Sequence, residues 1–273
     1  MDHLKKKNTP TGLPPWIALL LATSVCFPAA QAKILEIHSF EKIITHIQPN
    51  TLLVLDLDNT VIEPHQTLGG DEWFSDLIRQ NLDIEKNRVA AVEAAAKDWM
   101  SVQLLAPMKP VEANTPSLIR KVQAAGNLVI GLTARSEALA ERTVEQLHEL
   151  GICFMSNPVS RRNAYLDREN GLRYHEGILF VGERTTKGEA LLKFLDHHKF
   201  APPHVIFVDD RRPYTESVES ALESREIDHV IFRYGATDSR AKTYRRDIAE
   251  LQWQHFKKEK KIISDEEARK TLK

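Results

Sequence analysis

Two aspartates one residue apart close the apolar run Leu52-Leu53-Val54-Leu55-Asp56-Leu57-Asp58-Asn59-Thr60, and a second pair, Asp209-Asp210, closes Val205-Ile206-Phe207-Val208. Negative charge delivered at the end of a buried strand is costly unless a cation or hydrogen-bond donors meet it. Such carboxylates can attack an electrophile, carry protons, or bind a hard divalent cation. Thr133 ends a third apolar stretch and Lys187 stands at a helix start, so a hydroxyl and a compact cation accompany the acids. D-x-D-x-T alone is a short motif, and Asp56 alone reads equally as a turn acid. The ordered set of acids, hydroxyl, lysine and second acid pair is far more specific. No His/Cys cluster has the spacing of zinc ligands.

These residues need elements to hold them. Residues 51–55 read as a short strand buried on both faces, preceded by a short helix around Phe40 to Ile47 and a break at Pro49-Asn50. Residues 61–114 lose strand character; Val89, Val92, Ala96, Trp99 and Val102 repeat at helical spacing, and Trp73-Phe74 read as core of an inserted helical segment. Thr115-Pro116 opens a helix that Gly126 closes, residues 127–132 form a second strand, and Ser136 caps a helix stopped by Gly151. Residues 152–155 read as a third strand, and Asn170-Gly171 predicts a small hairpin, followed by a further short strand at 178–181. A helix from Lys187, a fourth strand at 205–208, a fifth at 230–232 and C-terminal helices from Asp238, with a capping box at Ser264 and Glu267, complete the chain. The alternation predicts an α/β fold with a doubly wound, mostly parallel five-stranded sheet, whose ligands meet the carboxyl ends of the strands.

The motifs Asp56-Leu57-Asp58-Asn59-Thr60, Leu132-Thr133-Ala134-Arg135, Lys187-Gly188 and Val208-Asp209-Asp210 together resemble the haloacid dehalogenase-like (HAD) superfamily, in its phosphatase branch, over about residues 51–233. The resemblance implies strand order 5-4-1-2-3 with the opening strand central, and a phosphatase working through an aspartyl-phosphate. Asp56 would be the nucleophile, and Asp58 the general acid and then the base for water. Thr133 and the amide of Ala134 would hold phosphoryl oxygens, and Lys187 would neutralise charge. Asp56, Asp209 and the backbone carbonyl of Asp58 would bind one Mg2+, with Asp210 either ligating through water or positioning Lys187. Arg135 reads equally as a substrate-binding fork or a structural ion pair. Glu63 and His65 lie where the chain leaves for the insertion, as hinge residues or substrate contacts.

The resemblance divides the chain into an α/β core at 33–60 and 115–236, a helical cap at 61–114 and a C-terminal helical extension at 237–273. Lys5-Lys6-Lys7, an apolar stretch from Trp16 to Phe27 and Ala30-Gln31-Ala32 predict a cleaved signal peptide over 1–32, hence export to the periplasm or beyond, with no stable membrane span after cleavage. Removing that segment takes three lysines and one aspartate from totals of 37 basic and 38 acidic residues, leaving a formal charge of −3 and no case for nucleic-acid binding. It also removes Cys26, so Cys153 has no intrachain partner. With 42% hydrophobic and 27% charged residues, the 273-residue chain can build a full core. The expected substrate is a small phosphorylated molecule. A phosphotransferase on the same scaffold and a noncatalytic secreted binding protein are the alternatives, and the basic C-terminal helices leave room for a protein partner.

Overall fold

The computed structural model describes residues 34–182 and 184–272; the expected signal peptide lies outside them. The strands are β1 (Leu35–Ile37), β2 (Thr51–Leu55), β3 (Ile62–Pro64), β4 (Met108–Pro110), β5 (Leu128–Thr133), β6 (Ala164–Asp167), β7 (Leu172–His175), β8 (Ile178–Phe180), β9 (His204–Asp209) and β10 (His229–Tyr234). The helices are α1 (Glu41–Ile44), α2 (Asp71–Glu85), α3 (Arg88–Gln103), α4 (Thr115–Ala124), α5 (Ala140–Glu149), α6 (Lys187–His198), α7 (Arg212–Glu223), α8 (Arg240–Thr243), α9 (Arg246–Glu259) and α10 (Asp265–Thr271).

The main sheet has eight strands, not five, in the order β1-β10-β9-β2-β5-β8-β7-β6. From β1 to β8 neighbours run parallel; β7 and β6 turn back antiparallel. Because side chains alternate across a strand, Leu53 and Leu55 of β2 join one hydrophobic core, while Leu52 and Val54 join the other. Ile119 and Val122 of α4 with Val144 and Leu147 of α5 fill the first core. Leu191 and Phe194 of α6 with Val218 and Leu222 of α7 fill the second. All five residues of β2 are buried, which places the strand that delivers Asp56 at the centre of both layers.

The three additional strands have separate origins. β1 is a three-residue edge strand beside β10, too short to show a period. At the other edge, the predicted hairpin joins the sheet through β8. Residues 152–155 do not form the third strand: Phe154–Ser156 is a 3-10 turn, and β8 takes the place beside β5. Four apolar residues are ambiguous between strand and turn, and here Ile152 and Phe154 bury themselves in the core without pairing in the sheet. Gly177, at φ 83°, allows Phe154 to pack against the backbone entering β8; a Cβ there would meet that of Phe154 at 2.5 Å.

Between β2 and α4 the chain leaves and returns through β3 and β4, an antiparallel pair with Glu63 opposite Lys109. Beyond that ribbon, α2 and α3 pack together. The predicted apolar stripe of α3 divides between faces: Val102 is buried, Val89 is exposed, and Ala96 and Trp99 line a cavity with Met100, while Ala91 and Ala95, outside that stripe, are also buried. The C-terminal helices brace this insertion. Trp253 of α9 packs on Trp73 of α2 at 5.4 Å between ring centroids, and Asp265 accepts from the backbone and hydroxyl of Thr67, both at 2.8 Å. Arg240 forks onto the buried Glu63 at 2.6 and 2.8 Å. Among the described residues, no helix is long and apolar enough to cross a membrane.

Candidate active site

β2 stays in register with its neighbour one residue past its last strand position, since the Asp56 amide donates to the Val208 carbonyl at 2.9 Å. The chain then turns sharply. The Leu57 carbonyl accepts from the amides of Thr60, Val61 and Ile62, and Asn59 takes φ 60°, a left-handed conformation that asparagine tolerates. Leu57 is buried in the core between the two acids. The Thr60 hydroxyl donates to Asp56 Oδ2 at 3.1 Å, which gives the last residue of the D-x-D-x-T motif a function that its spacing alone did not disclose.

Lys187 begins α6 behind a complete capping box formed by Thr186 and Glu189. Its ammonium donates to Asp56 Oδ1 at 2.5 Å and to Asp209 Oδ2 at 2.6 Å, and lies 4.6 Å from the centroid of the Tyr214 ring. The start of this helix lies against α7: the Gly188 amide donates to Ser217 Oγ, and a Cβ at Gly188 would meet the Ser217 carbonyl at 2.2 Å. Glycine is therefore required where Lys187 is driven beneath the acids.

One oxygen from each of Asp56, Asp209 and Asp210 lies within 4.8 Å of the others. Three carboxylates face one ammonium, so negative charge is in excess. Burial raises Asp56 to about 7, against the pull of Lys187, and Asp209 adds to the rise. Burial together with the charges of Asp56 and Asp209 raises Asp210 to about 8, and burial also raises Asp209. Burial opposes charge on Lys187, but Asp209 and Asp56 outweigh it and hold the lysine charged above its usual range. An all-oxygen donor set with surplus charge fits a hard divalent cation. Lys187 meets Asp56 and Asp209; Asp210 is not among its hydrogen-bond partners.

Asp58 belongs to a second cluster. Arg135 grips it with both prongs, Nε to Oδ2 at 2.8 Å and Nη2 to Oδ1 at 2.7 Å. The remaining guanidinium nitrogen donates to Gln146 Oε1 at 2.7 Å and Thr143 Oγ1 at 3.2 Å, both on α5. The ring of Trp99 stands 5.6 Å from its central carbon. Gln146 in turn donates to the carbonyls of Gln103 and Ala106, where α3 ends. Arg135 is 3% exposed, so its guanidinium is committed to this ion pair. Thr133 Oγ1 accepts the Arg135 amide at 3.1 Å, an arrangement that leaves the hydroxyl proton to donate elsewhere.

A cavity of about 530 Å³ brings these parts to one place. Asp56, Asp58, Thr133, Ala134, Arg135 and Asp210 line it, while Lys187 and Asp209 lie buried among the acids. Phe74, Trp99 and Met100 form its cap side, and Arg168 to Gly171, at the tip of the β6–β7 hairpin, form another wall. The sequence pattern marked that hairpin as a turn, but nothing in it revealed that the tip reaches the site. Gly182 permits the contact; a Cβ there would lie 2.0 Å from the Asn170 carbonyl. Arg211 and Tyr214 also line the cavity, and Arg211 pairs with Asp71 at the start of α2. Glu63 and His65 lie away from it: Glu63 is taken up by Arg240 and Lys109, and His65 borders a separate polar cleft.

The architecture and site define an α/β protein with a large parallel sheet, a carboxylate-rich centre at the ends of its middle strands, and an inserted roof. The chain belongs to the family described as protein of unknown function DUF2608, whose model matches residues 33–269. It is 26% identical to a relative in Chlamydia trachomatis over 93% of this chain and 95% of that one, and 27% identical to one in Chlamydia pneumoniae over 87% and 88%. Both relatives bear the provisional name outer membrane protein. Among solved structures, the class C acid phosphatase from Bacillus anthracis with tungstate bound is similar over 80% of this chain and 81% of that one, at 14% identity and TM-score 0.34. A phospho-aspartyl intermediate analogue of phosphoserine phosphatase matches 72% of this chain and all of that one, at 14% identity and TM-score 0.33.

Proposed function

We propose that this protein is an exported, divalent-cation-dependent phosphomonoester hydrolase of the HAD type. The observation that carries the reading is the environment of Asp56: its two oxygens are fixed by Lys187 and Thr60, its neighbours are Asp209 and Asp210, and it lines the floor of a cavity beside Thr133. The order β10-β9-β2-β5-β8 around its strand supports the same reading.

Asp56 attacks phosphorus as the bond to the substrate's alcohol oxygen breaks, which leaves an aspartyl-phosphate. Asp58, protonated, gives its proton to the departing oxygen; as a carboxylate it then takes a proton from water, whose oxygen attacks phosphorus and releases inorganic phosphate and Asp56. The Arg135 fork orients Asp58 throughout. The Thr133 hydroxyl and the Ala134 amide receive phosphoryl oxygens at the end of β5, and Lys187 offsets charge on the nucleophile. Asp56, Asp209 and Asp210, with the Asp58 carbonyl, would hold Mg2+. Bound there, the ion would offset the excess charge, keep Asp56 ionised and polarise the phosphoryl group. The expected cavity occupant is a small molecule, since about 530 Å³ falls within the ~300–1,000 Å³ of small-ligand sites. The basic, apolar amino terminus and the provisional name of the relatives support export to the cell envelope.

Phosphate release from a panel of monoesters, with and without Mg2+, tests the reading. Wild type is expected to turn over at least one ester in a Mg2+-dependent manner and Asp56→Asn none. Inactivity of wild type on every ester, or normal turnover by Asp56→Asn, overturns it.

A further inference from the structure

Beyond the reacting groups, the cavity has an apolar side that phosphoryl chemistry does not require. Phe74 of α2 and Ala96, Trp99 and Met100 of α3 line it, all partly exposed, although the same helices bury other apolar residues against each other and against α9. Trp99 is held in place: its indole N–H donates to the Gly69 carbonyl at 2.9 Å, and Phe74 meets its ring at 6.0 Å in a tilted arrangement. The wall also has a defined position relative to the chemistry. Trp99 lies 5.6 Å from the Arg135 guanidinium, whose nitrogens hold Asp58 at 2.7 and 2.8 Å. On the hydrolase reading the leaving group departs toward Asp58, inside the same cavity that Trp99 and Phe74 line.

We infer that the preferred substrates are phosphomonoesters whose alcohol carries a flat aromatic ring close to the ester oxygen, with Trp99 and Phe74 as the residues that select for it. This rests on the hydrolase reading above. Ring faces offset against Trp99 and Phe74 gain both apolar burial and quadrupole attraction, whereas a short alkyl chain gains only a fraction of that burial.

Benzyl phosphate and propyl phosphate test the inference, because both release primary alcohols of similar leaving ability and differ in the ring. Wild type is expected to show a kcat/KM ratio favouring benzyl phosphate by about tenfold, the scale of one well-placed aromatic contact. In Trp99→Ala and in Phe74→Ala that ratio falls toward one, whatever the absolute rate of each variant, and Trp99→Phe keeps most of it. A wild-type ratio near one, or an unchanged ratio in both alanine variants, overturns this inference alone. Turnover of neither ester, together with inactivity on every other monoester, overturns the hydrolase reading and this inference with it.

Discussion

The two cation–carboxylate clusters at Asp56 and Asp58 differ in construction. Lys187 is a point charge between Asp56 and Asp209, both delivered by central strands, and every group in that cluster is less than a tenth exposed. Arg135 is a planar fork laid on a single acid, Asp58, whose side chain is 23% exposed, and its remaining donors are satisfied by α5 near the end of α3. The first cluster joins the ends of β2 and β9 to the start of α6 and leaves negative charge in excess. The second joins sheet, flanking helix and inserted roof and balances one charge with one. On the proposed mechanism, cation binding and attack fall to the buried centre, and proton transfer to the cluster that also touches the roof.

Removing Lys187 gives the largest effect, because Asp56 and Asp209 then lose the ammonium they share. Lys187→Met is expected to cost about 3–5 kcal/mol in cation-free buffer, read from the denaturation midpoint. A loss below about 1 kcal/mol would show that the cluster is not the buried centre described here. Arg135→Ala leaves Asp58 partly solvated, so the expected stability loss is smaller, about 2 kcal/mol. Arg135→Lys recovers charge but not the fork, so the division of roles predicts that it keeps most stability while kcat for phosphate release falls at least about tenfold. Full activity with lysine would sink the orienting role.

The pH dependence separates the clusters further. Asp56 at about 7 and Asp210 at about 8 stand above the ordinary carboxylate value, so their protonated forms favour the folded state. Their contribution is complete below about pH 4 and is lost as pH rises through about 7 to 8. Without divalent cation, melting temperature is expected to fall by on the order of 5 °C between pH 5.5 and 8.5 relative to Asp210→Asn, and Mg2+ should remove most of that difference. A parallel course for wild type and variant would contradict the charge excess. The smallest effect falls at the roof: Gln103 donates to the Gly69 carbonyl at 2.8 Å beneath α3, so Gln103→Ala is expected to cost about 1 kcal/mol. Proteolysis of that variant should begin in residues 61–114.

Several elements were legible in residue order because their causes are local. Lys187-Gly188 opens α6, Asn170-Gly171 writes the hairpin, and the apolar runs before Asp56 and Asp209 write the two central strands. The edge strand β1 and the 3-10 turn at Phe154–Ser156 were not, since three or four residues carry no period and their state depends on which edge or core accepts them. The apolar stripe of α3 was visible, but not that part of it faces a cavity.

Residue order alone dictates that Asp56 and Asp58 leave one strand two residues apart, that Asp209 and Asp210 end another, and that a helix opens at Lys187, because strand ends and helix starts follow from neighbours along the chain. The partners of these groups are set by the folded chain. Arg135 meets Asp58 across 77 residues because Gln146 and Thr143 hold its third guanidinium nitrogen, and Lys187 reaches Asp56 across 131 because Gly188 admits close packing against Ser217. Ion pairing between distant residues depends on which donors are already satisfied and how closely backbones approach, and both are properties of the folded chain.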